Sequence, residues 1–215
     1  MRPGTSAPDA ARCRLYLVTP PAFAPAPFAE ALAAALDGGD VACVELRLRD
    51  AGDDEVRRAA DALIRLLQAR DTAFLLCDRV DLAAGLGCDG VCLRAPGGDV
   101  AEARRLLGAA AIVGSFAGGS RHLAMVAGEA GADFIGFGPV FGEGAVGLDG
   151  VRWWSELMVE PSVAWGGLIL TNIGEAVAAG ADFVAVSRAV WDHPKGPRRA
   201  IAELNGAVDS PQASC

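Results

Sequence analysis

The sequence predicts a single (β/α)8 TIM barrel, and three observations carry that prediction. Eight short apolar runs alternate with amphipathic, Ala-rich stretches along 215 residues. The runs are continuously apolar rather than alternating, as parallel strands covered on both faces are. The connections are short, which fits eight βα units in a chain at the compact end for that fold. An open doubly wound sheet is the alternative, but it rarely needs eight evenly spaced units, and no GxGxxG follows the first run.

The first strand is read over 14–20 (RLYLVTP), ended by prolines. Residues 28–39 have helical spacing and a Gly-Gly stop, and 41–48 form the second strand. In 53–70, Val56, Ala60, Leu63 and Leu67 share one face behind acidic residues at the helix start. Strand 73–77 precedes helix 79–87, strand 89–93 precedes helix 99–108, and strand 111–115 precedes helix 121–131. Strand 133–138, a short helix near 150–158, strand 162–167, helix 172–180 and strand 182–187 complete the series. A last helix ends near Asn205. Residues 1–13 are thus expected to be an N-terminal extension, 14–206 the barrel, and 207–215 a flexible polar tail.

The tag GADF at 131–134 and 180–183, with GCDG at 87–90, marks helix ends followed by strand starts. Asp89, Asp133 and Asp182 therefore fall on the bottom of the barrel and are expected to be structural, because barrel chemistry sits at strand C-termini.

The bulk composition bounds the function. Hydrophobic residues make up 52% and charged residues 21%, which suits a globular α/β protein. A formal net charge of −8 argues against nucleic acid as a partner, since phosphate contacts need a basic face. The six cysteines show no CxxC spacing, and His122 and His193 lie far from the Cys88/Cys92 pair, so free thiols in a reducing cytoplasm are expected. The first 13 residues hold no apolar core of a signal peptide, and no run of 18 apolar residues exists; neither secretion nor a membrane partner is expected.

Chemistry should then sit after each strand. Glu45, Arg47 and Arg49 alternate along VELRLRD, which puts them on one side, at the barrel interior or rim. They form either a structural Glu–Arg pair or an anion site in which guanidinium groups fork onto phosphate oxygens. After the third strand come Cys77 and Asp78; Asp78 either caps the next helix or holds Mg2+. After the seventh come Trp165, Gly166 and Gly167, and after the eighth Val186 and Ser187. Exposed backbone N–H groups there match the phosphate site common in such barrels, the alternative being a plain Gly-Gly turn.

Taken in order, LYLVTP, VELRLRD, CDRVDLAAGLGCDGVCL, AIVGS, GADFIGFGPVFG, VAWGGL and GADFVAVSRAV resemble the thiamine-phosphate synthase and thiazole tautomerase family over about Leu15 to Trp191. The resemblance implies a TIM barrel that joins hydroxymethylpyrimidine diphosphate to thiazole phosphate with Mg2+, releasing pyrophosphate. It implies a phosphorylated small-molecule substrate and leaves a homo-oligomer open.

The family pattern carries over unevenly. Gln-x-Arg-x-Lys is here Glu45-x-Arg47-x-Arg49, and Asn-Asp is Cys77-Asp78. His-x-Gly-Gln-x-Asp is Cys92-Leu93-Arg94-Ala95-Pro96-Gly97, so the second Mg2+ carboxylate is absent, and Asp99 is expected to cap the next helix. The strand-5 Ser is Phe116, with Ser115 facing the other way. In the loop opened by Gly138, the family Thr is Glu143 and the family Lys is Val146. The tautomerase His falls at Pro139, which speaks against that activity. Gly166, Gly167, Val186 and Ser187 match. The expected function is a divergent synthase in which Arg47, Arg49 and Arg94 replace lost cationic charge. A related barrel with another phosphorylated substrate, or a non-catalytic phosphate-ligand protein, stands as the alternative. Trp153 and Trp154 are open between core, pocket wall and interface.

Overall fold

The sheet closes on itself: eight parallel strands pair in sequence order, and the last returns to the first. The computed structural model describes residues 12–94 and 98–210. The elements are β1 (Arg14–Val18), α1 (Pro25–Leu36), β2 (Cys43–Leu46), α2 (Asp53–Gln68), β3 (Ala73–Cys77), α3 (Val80–Leu86), β4 (Gly90–Leu93) and α4 (Val100–Leu107). There follow β5 (Ile112–Gly118), α5 (Arg121–Glu129), β6 (Phe134–Phe137), α6 (Asp149–Leu157), β7 (Ser162–Trp165), α7 (Ile173–Ala178), β8 (Phe183–Val186), α8 (Arg188–Trp191) and α9 (Pro197–Asp209).

The expected (β/α)8 barrel is therefore the observed fold. The differences are at element ends. The rim residues of the first, second and seventh strands belong to loops, because the chain turns there to build the mouth; Asp50 after β2 adopts left-handed backbone, as does Asp78 after β3. β5 runs on to Gly118, through Phe116 and Ala117, both buried. α9 continues to Asp209, so residues 207–209, expected in the tail, are helical; Val208 is buried on its inner face. Most of the 1–13 extension and residues 211–215 lie outside the described residues.

Alternation within each strand separates two cores. Tyr16, Val18, Cys43, Leu75, Cys92, Phe116, Phe134, Val163 and Ala185 point inward and fill the barrel. Residues between them, such as Leu15, Val44, Phe74, Val91 and Ile135, face the helices. Two glycines make room inside. A Cβ on Gly114 would come 1.9 Å from the Phe134 ring, and one on Gly136 would come 2.4 Å from the Phe116 ring. Small and large residues thus interlock across β5 and β6.

The bottom face behaves as the GADF tag predicts. Asp89 accepts from Phe74 N–H, Asp133 from Val113 N–H and Asp182 from Ser162 N–H, each at 2.7 Å. Each carboxylate ties the start of one strand to the start of the strand before it. Asp182 also takes the Ser162 hydroxyl. Asp182→Ala is expected to lower unfolding stability by about 1–3 kcal/mol, since it strands a buried N–H. Urea denaturation reads the loss; a variant as stable as the parent would show the latch to be idle. Asp99 likewise behaves as expected, its carboxylate accepting from Glu102 N–H to cap α4.

The tryptophan pair resolves into two roles. Trp154 is core: it is buried against Phe137 and donates its indole N–H to the Glu160 carbonyl at 2.7 Å. Trp153 is half-buried and lies under the Arg121 guanidinium, 5.0 Å from its carbon.

Candidate active site

A cavity of about 670 Å³ opens at the C-terminal ends of the strands. Arg47, Arg49, Cys77, Asp78, Gly166, Gly167, Val186 and Ser187 all line it. The fold thus assembles eight of the eleven sequence candidates in one place. Their presence follows from topology alone, because every β-to-α loop of a parallel barrel opens on the same end.

Arg47 and Arg49 are exposed on the wall after β2. Their backbone N–H groups are pinned to the first βα loop, Arg47 to the Thr19 hydroxyl at 3.0 Å and Arg49 to the Pro21 carbonyl at 2.8 Å. Among the described residues neither guanidinium has a carboxylate within ion-pair distance. Two cations without carboxylate partners thus stand on the wall of the cavity.

Glu45 shares their side of the strand but lies one layer deeper, fully buried beneath the cavity. Its partner is neither Arg47 nor Arg49. Arg94, reaching down from the end of β4, donates from Nε to Oε1 and from Nη2 to Oε2, both at 2.8 Å. The Tyr16 hydroxyl donates to Oε2 at 2.7 Å. Burial alone would raise the Glu45 carboxyl, but the Arg94 charge, its hydrogen bonds and Tyr16 bring it below its usual value. The Glu–Arg pair that the alternation suggested is real, with a different arginine. The buried Arg94 neutralises the Glu45 charge. The two departures from the family pattern, at 45 and 94, meet in one ion pair.

Arg94 is further clamped by rings. Its guanidinium carbon lies 4.1 Å from the Phe116 ring centroid and 5.3 Å from that of Trp165. Phe116 and Trp165 pack edge to face at 5.6 Å. Phe116 occupies the interior position of the family Ser, while Ser115 is turned to the helix layer, as the offset predicts.

Asp78 does not cap α3. Its Oδ1 accepts from Arg94 N–H at 2.7 Å, tying the ends of β3 and β4, and the α3 N-terminus has no side-chain cap. Its Oδ2 takes only a weak thiol contact from Cys77 at 3.5 Å. Among the described residues no three His, Cys, Asp or Glu side chains are grouped to hold a metal. Gly97, at the position of the second family carboxylate, lies outside the described residues.

The Gly-Gly turn has its own reason. Gly166 and Gly167 have φ of 90° and 69°. A Cβ on Gly166 would come 2.5 Å from Pro139, and one on Gly167 2.3 Å from the Phe141 carbonyl. Val140 and Phe141 donate to the Trp165 and Gly166 carbonyls, and the Asn172 side chain to that of Gly167. The carbonyls are therefore used inside the protein, while no turn or loop bond takes the N–H of Gly167, Ser187 or Arg188. Those residues line the cavity on its β7–β8 side. Val186 contributes backbone only, because its side chain is buried in the helix-facing core.

Besides the buried Glu45, two candidates do not line the cavity. Glu143 is exposed on its loop, which folds back so that Val146 packs over Gly119 instead of covering the mouth. Gly138 supports the site from outside: a Cβ there would sit 2.0 Å from the Trp165 carbonyl. Trp165 and Phe116 are the residues that sequence reading passed over as site-formers. A large aromatic immediately before the Gly-Gly turn was the available sign.

The buried thiols are chemically quiet. Burial, reinforced by Asp182, pushes Cys13 up to about 12, and burial with Asp89 does the same to Cys88. Burial holds Cys43 and Cys92 well above the usual thiol range. Unfolded, these groups ionise near about 8.5. Their contribution to stability is thus complete below that pH and decays as pH rises above it, because the native thiols keep their protons where the unfolded ones lose them. With one lysine and one tyrosine in the chain, thiols dominate this range. The melting temperature is expected to fall steadily from pH 9 to 11; a flat profile would contradict the assignment.

Comparison with known proteins agrees with the geometry. The family model described as thiamine monophosphate synthase matches residues 15–190. The chain is 54% identical over 199 residues to the thiamine-phosphate synthase of Rhodospirillum centenum, covering 90% of this chain and 96% of that one. It is 39% identical over 212 residues to that of Hyphomonas neptunium, covering 93% and 95%. Among solved structures, thiamine phosphate pyrophosphorylase from Pyrococcus furiosus superposes with a TM-score of 0.83 at 30% identity, over 95% of this chain and 99% of that one. The chain, an eight-stranded barrel, therefore belongs to the thiamine monophosphate synthase family.

Proposed function

We propose that this chain acts as a transferase of thiamine biosynthesis, joining hydroxymethylpyrimidine diphosphate to thiazole phosphate and releasing pyrophosphate. The observation that carries this reading is one cavity offering two separate anion sites. Arg47 and Arg49 face the diphosphate, and the N–H groups around Gly167 and Ser187 face the phosphate monoester.

The C–O bond to the diphosphate breaks with its electron pair leaving on pyrophosphate, and the thiazole nitrogen lone pair forms the new C–N bond. That nitrogen carries no proton to remove, so the step needs charge stabilisation rather than a base. The residues present match: among the described residues no histidine lines the cavity, while three guanidinium groups without a carboxylate partner do, those of Arg47, Arg49 and Arg188. Mg2+ fits this site only as an ion shared with substrate. Asp78 Oδ2 would supply one hard oxygen and the diphosphate the others, a donor set Mg2+ accepts. When bound it would add positive charge at the leaving group. The substrates are phosphorylated small molecules. No helix among the described residues is long and apolar enough to cross a membrane. Five free thiols among the described residues support a cytoplasmic location.

The test is Mg2+-dependent pyrophosphate release from the two substrates together. Asp78→Ala should remove the Mg2+ dependence. If release is absent while thiazole phosphate still raises the melting temperature, the synthase reading fails and a binding protein remains.

A further inference from the structure

The two sides of the cavity differ in charge. The loop after β2 brings Arg47 and Arg49, with the carboxylate of Asp50 next in the chain. The ends of β7 and β8 contribute residues 165–169 and 185–189 to the wall, and of these ten only Arg188 is charged. The remaining arginines of the wall are committed, Arg79 to Asp53 and Asp81 and Arg94 to Glu45. Arg188 has no carboxylate within ion-pair distance among the described residues.

The backbone under Arg188 is fixed while its side chain is exposed. Beside it in the chain, the Ser187 hydroxyl donates to the Thr19 carbonyl at 3.5 Å; Val190 is buried, and the Trp191 indole N–H donates to the Val18 carbonyl at 2.8 Å. The Arg188 Cα is one residue, about 3.8 Å, from that of Ser187, so the guanidinium is tethered next to the wall that Gly167 and Ser187 form. No other element offers a cation there. The loop over 138–148 contributes nothing to the wall, and Val146, at the position of the family lysine, lies over Gly119. A phosphate monoester carries roughly −1.5 to −2 charges at pH 7. Backbone N–H groups and a hydroxyl supply only partial charge against it, so a full positive charge on this side has a purpose.

We propose that Arg188 is a specificity-determining residue that binds the phosphate monoester of the thiazole substrate, supplying from the end of β8 the side-chain cation that the loop over 138–148 lacks. This rests on the synthase reading above. Arg47 and Arg49 on one side and Arg188 on the other then divide the anions between them. The separation orients both substrates in one cavity: each phosphate group is drawn to its own wall, and the reacting carbon and nitrogen are left facing each other between the walls.

Arg188→Gln tests this, because it removes the charge and keeps much of the stem. Calorimetric binding of thiazole phosphate should weaken about 10- to 100-fold, the worth of a charged hydrogen-bonded contact. Binding of inorganic pyrophosphate with Mg2+ should not change, and Arg188→Lys should recover part of the lost affinity, keeping charge without the fork. In turnover KM for thiazole phosphate should rise while KM for the pyrimidine diphosphate stays. The exposed side chain predicts a melting curve like that of the parent; should the glutamine variant not fold, Arg188→Lys must show the partial loss with the same selectivity. The proposal is overturned if thiazole-phosphate binding is unchanged, which would leave Arg188 a solvated surface group, or if the wild-type protein does not bind thiazole phosphate. It is overturned equally if pyrophosphate binding weakens as much, which would mark a general positive field rather than a monoester site. Selective loss of thiazole-phosphate binding in a protein that releases no pyrophosphate would sustain the subsite and defeat the synthase reading. Normal turnover with an unaffected variant would do the reverse.

Discussion

Replacing both Arg47 and Arg49 by alanine is expected to reduce pyrophosphate release by at least roughly 10²–10³-fold, the usual consequence of losing one preorganised charge contact at a developing anion. The two guanidinium groups stand on one wall of the cavity without carboxylate partners, so their charge is available to the leaving group. Because both side chains are exposed and carry no packing role, the double variant should melt close to the parent. The loss should fall on kcat as well as on KM, since charge on the departing pyrophosphate grows as the C–O bond breaks. Arg47→Lys with Arg49→Lys should restore part of the rate, keeping charge but not the bidentate fork. A double alanine variant that turns over within a few-fold of wild type would remove these arginines from the reaction.

The second large effect is on stability. Arg94→Ala leaves the Glu45 carboxylate buried with only Tyr16 for company, and a broken buried pair typically costs about 3–5 kcal/mol. The arginine side chain is 9% exposed and the glutamate 0%, so water cannot take over. In the wild-type protein Glu45 sits below its ordinary value; its contribution is present above the unfolded carboxyl range and is lost as pH falls through the native one. Without Arg94 the burial that was overcome prevails, and the carboxyl shifts upward. The deficit of the variant should then be greatest near pH 8 and shrink toward pH 5 as Glu45 protonates. Adding Glu45→Gln should recover most of the loss at neutral pH. Chemical denaturation across pH measures this, and a pH-independent deficit would show that lost packing against Phe116 and Trp165, rather than charge, is responsible.

How much of this was legible beforehand depends on the range of the signal. Strands and helices could be read because their apolar periodicity is local, and the bottom latches because Gly-Ala-Asp recurs at fixed distance from each strand. Arg47 and Arg49 could be placed because alternation along one strand is also local. The Glu45–Arg94 bond was not so readable: its partners are 49 residues apart and meet only when β2 and β4 flank β3 in the closed sheet. The same holds for Phe116 and Trp165, whose interior positions follow from the register of β5 and β7. Glu143 misled in the opposite direction. Its position in the family loop suggested a pocket residue, but the loop's course is set by Val146 packing over Gly119, a contact between distant segments.

The bottom latches have a consequence for how the molecule is partitioned. Asp89, Asp133 and Asp182 join β3 to β4, β5 to β6 and β7 to β8, and the Arg14–Asp40 ion pair joins β1 to the approach to β2. The barrel is thereby stitched in four two-strand quarters, with none of these stitches crossing the turn between α4 and β5. A chain cut in that turn would yield two half-barrels, each with its own latches complete. Arg104, reaching from α4 to the Ala111 and Gly131 carbonyls and to Asp133, is the clasp across the cut. Permuted or split versions of this protein therefore have a natural seam, placed at the end of the molecule remote from the cavity.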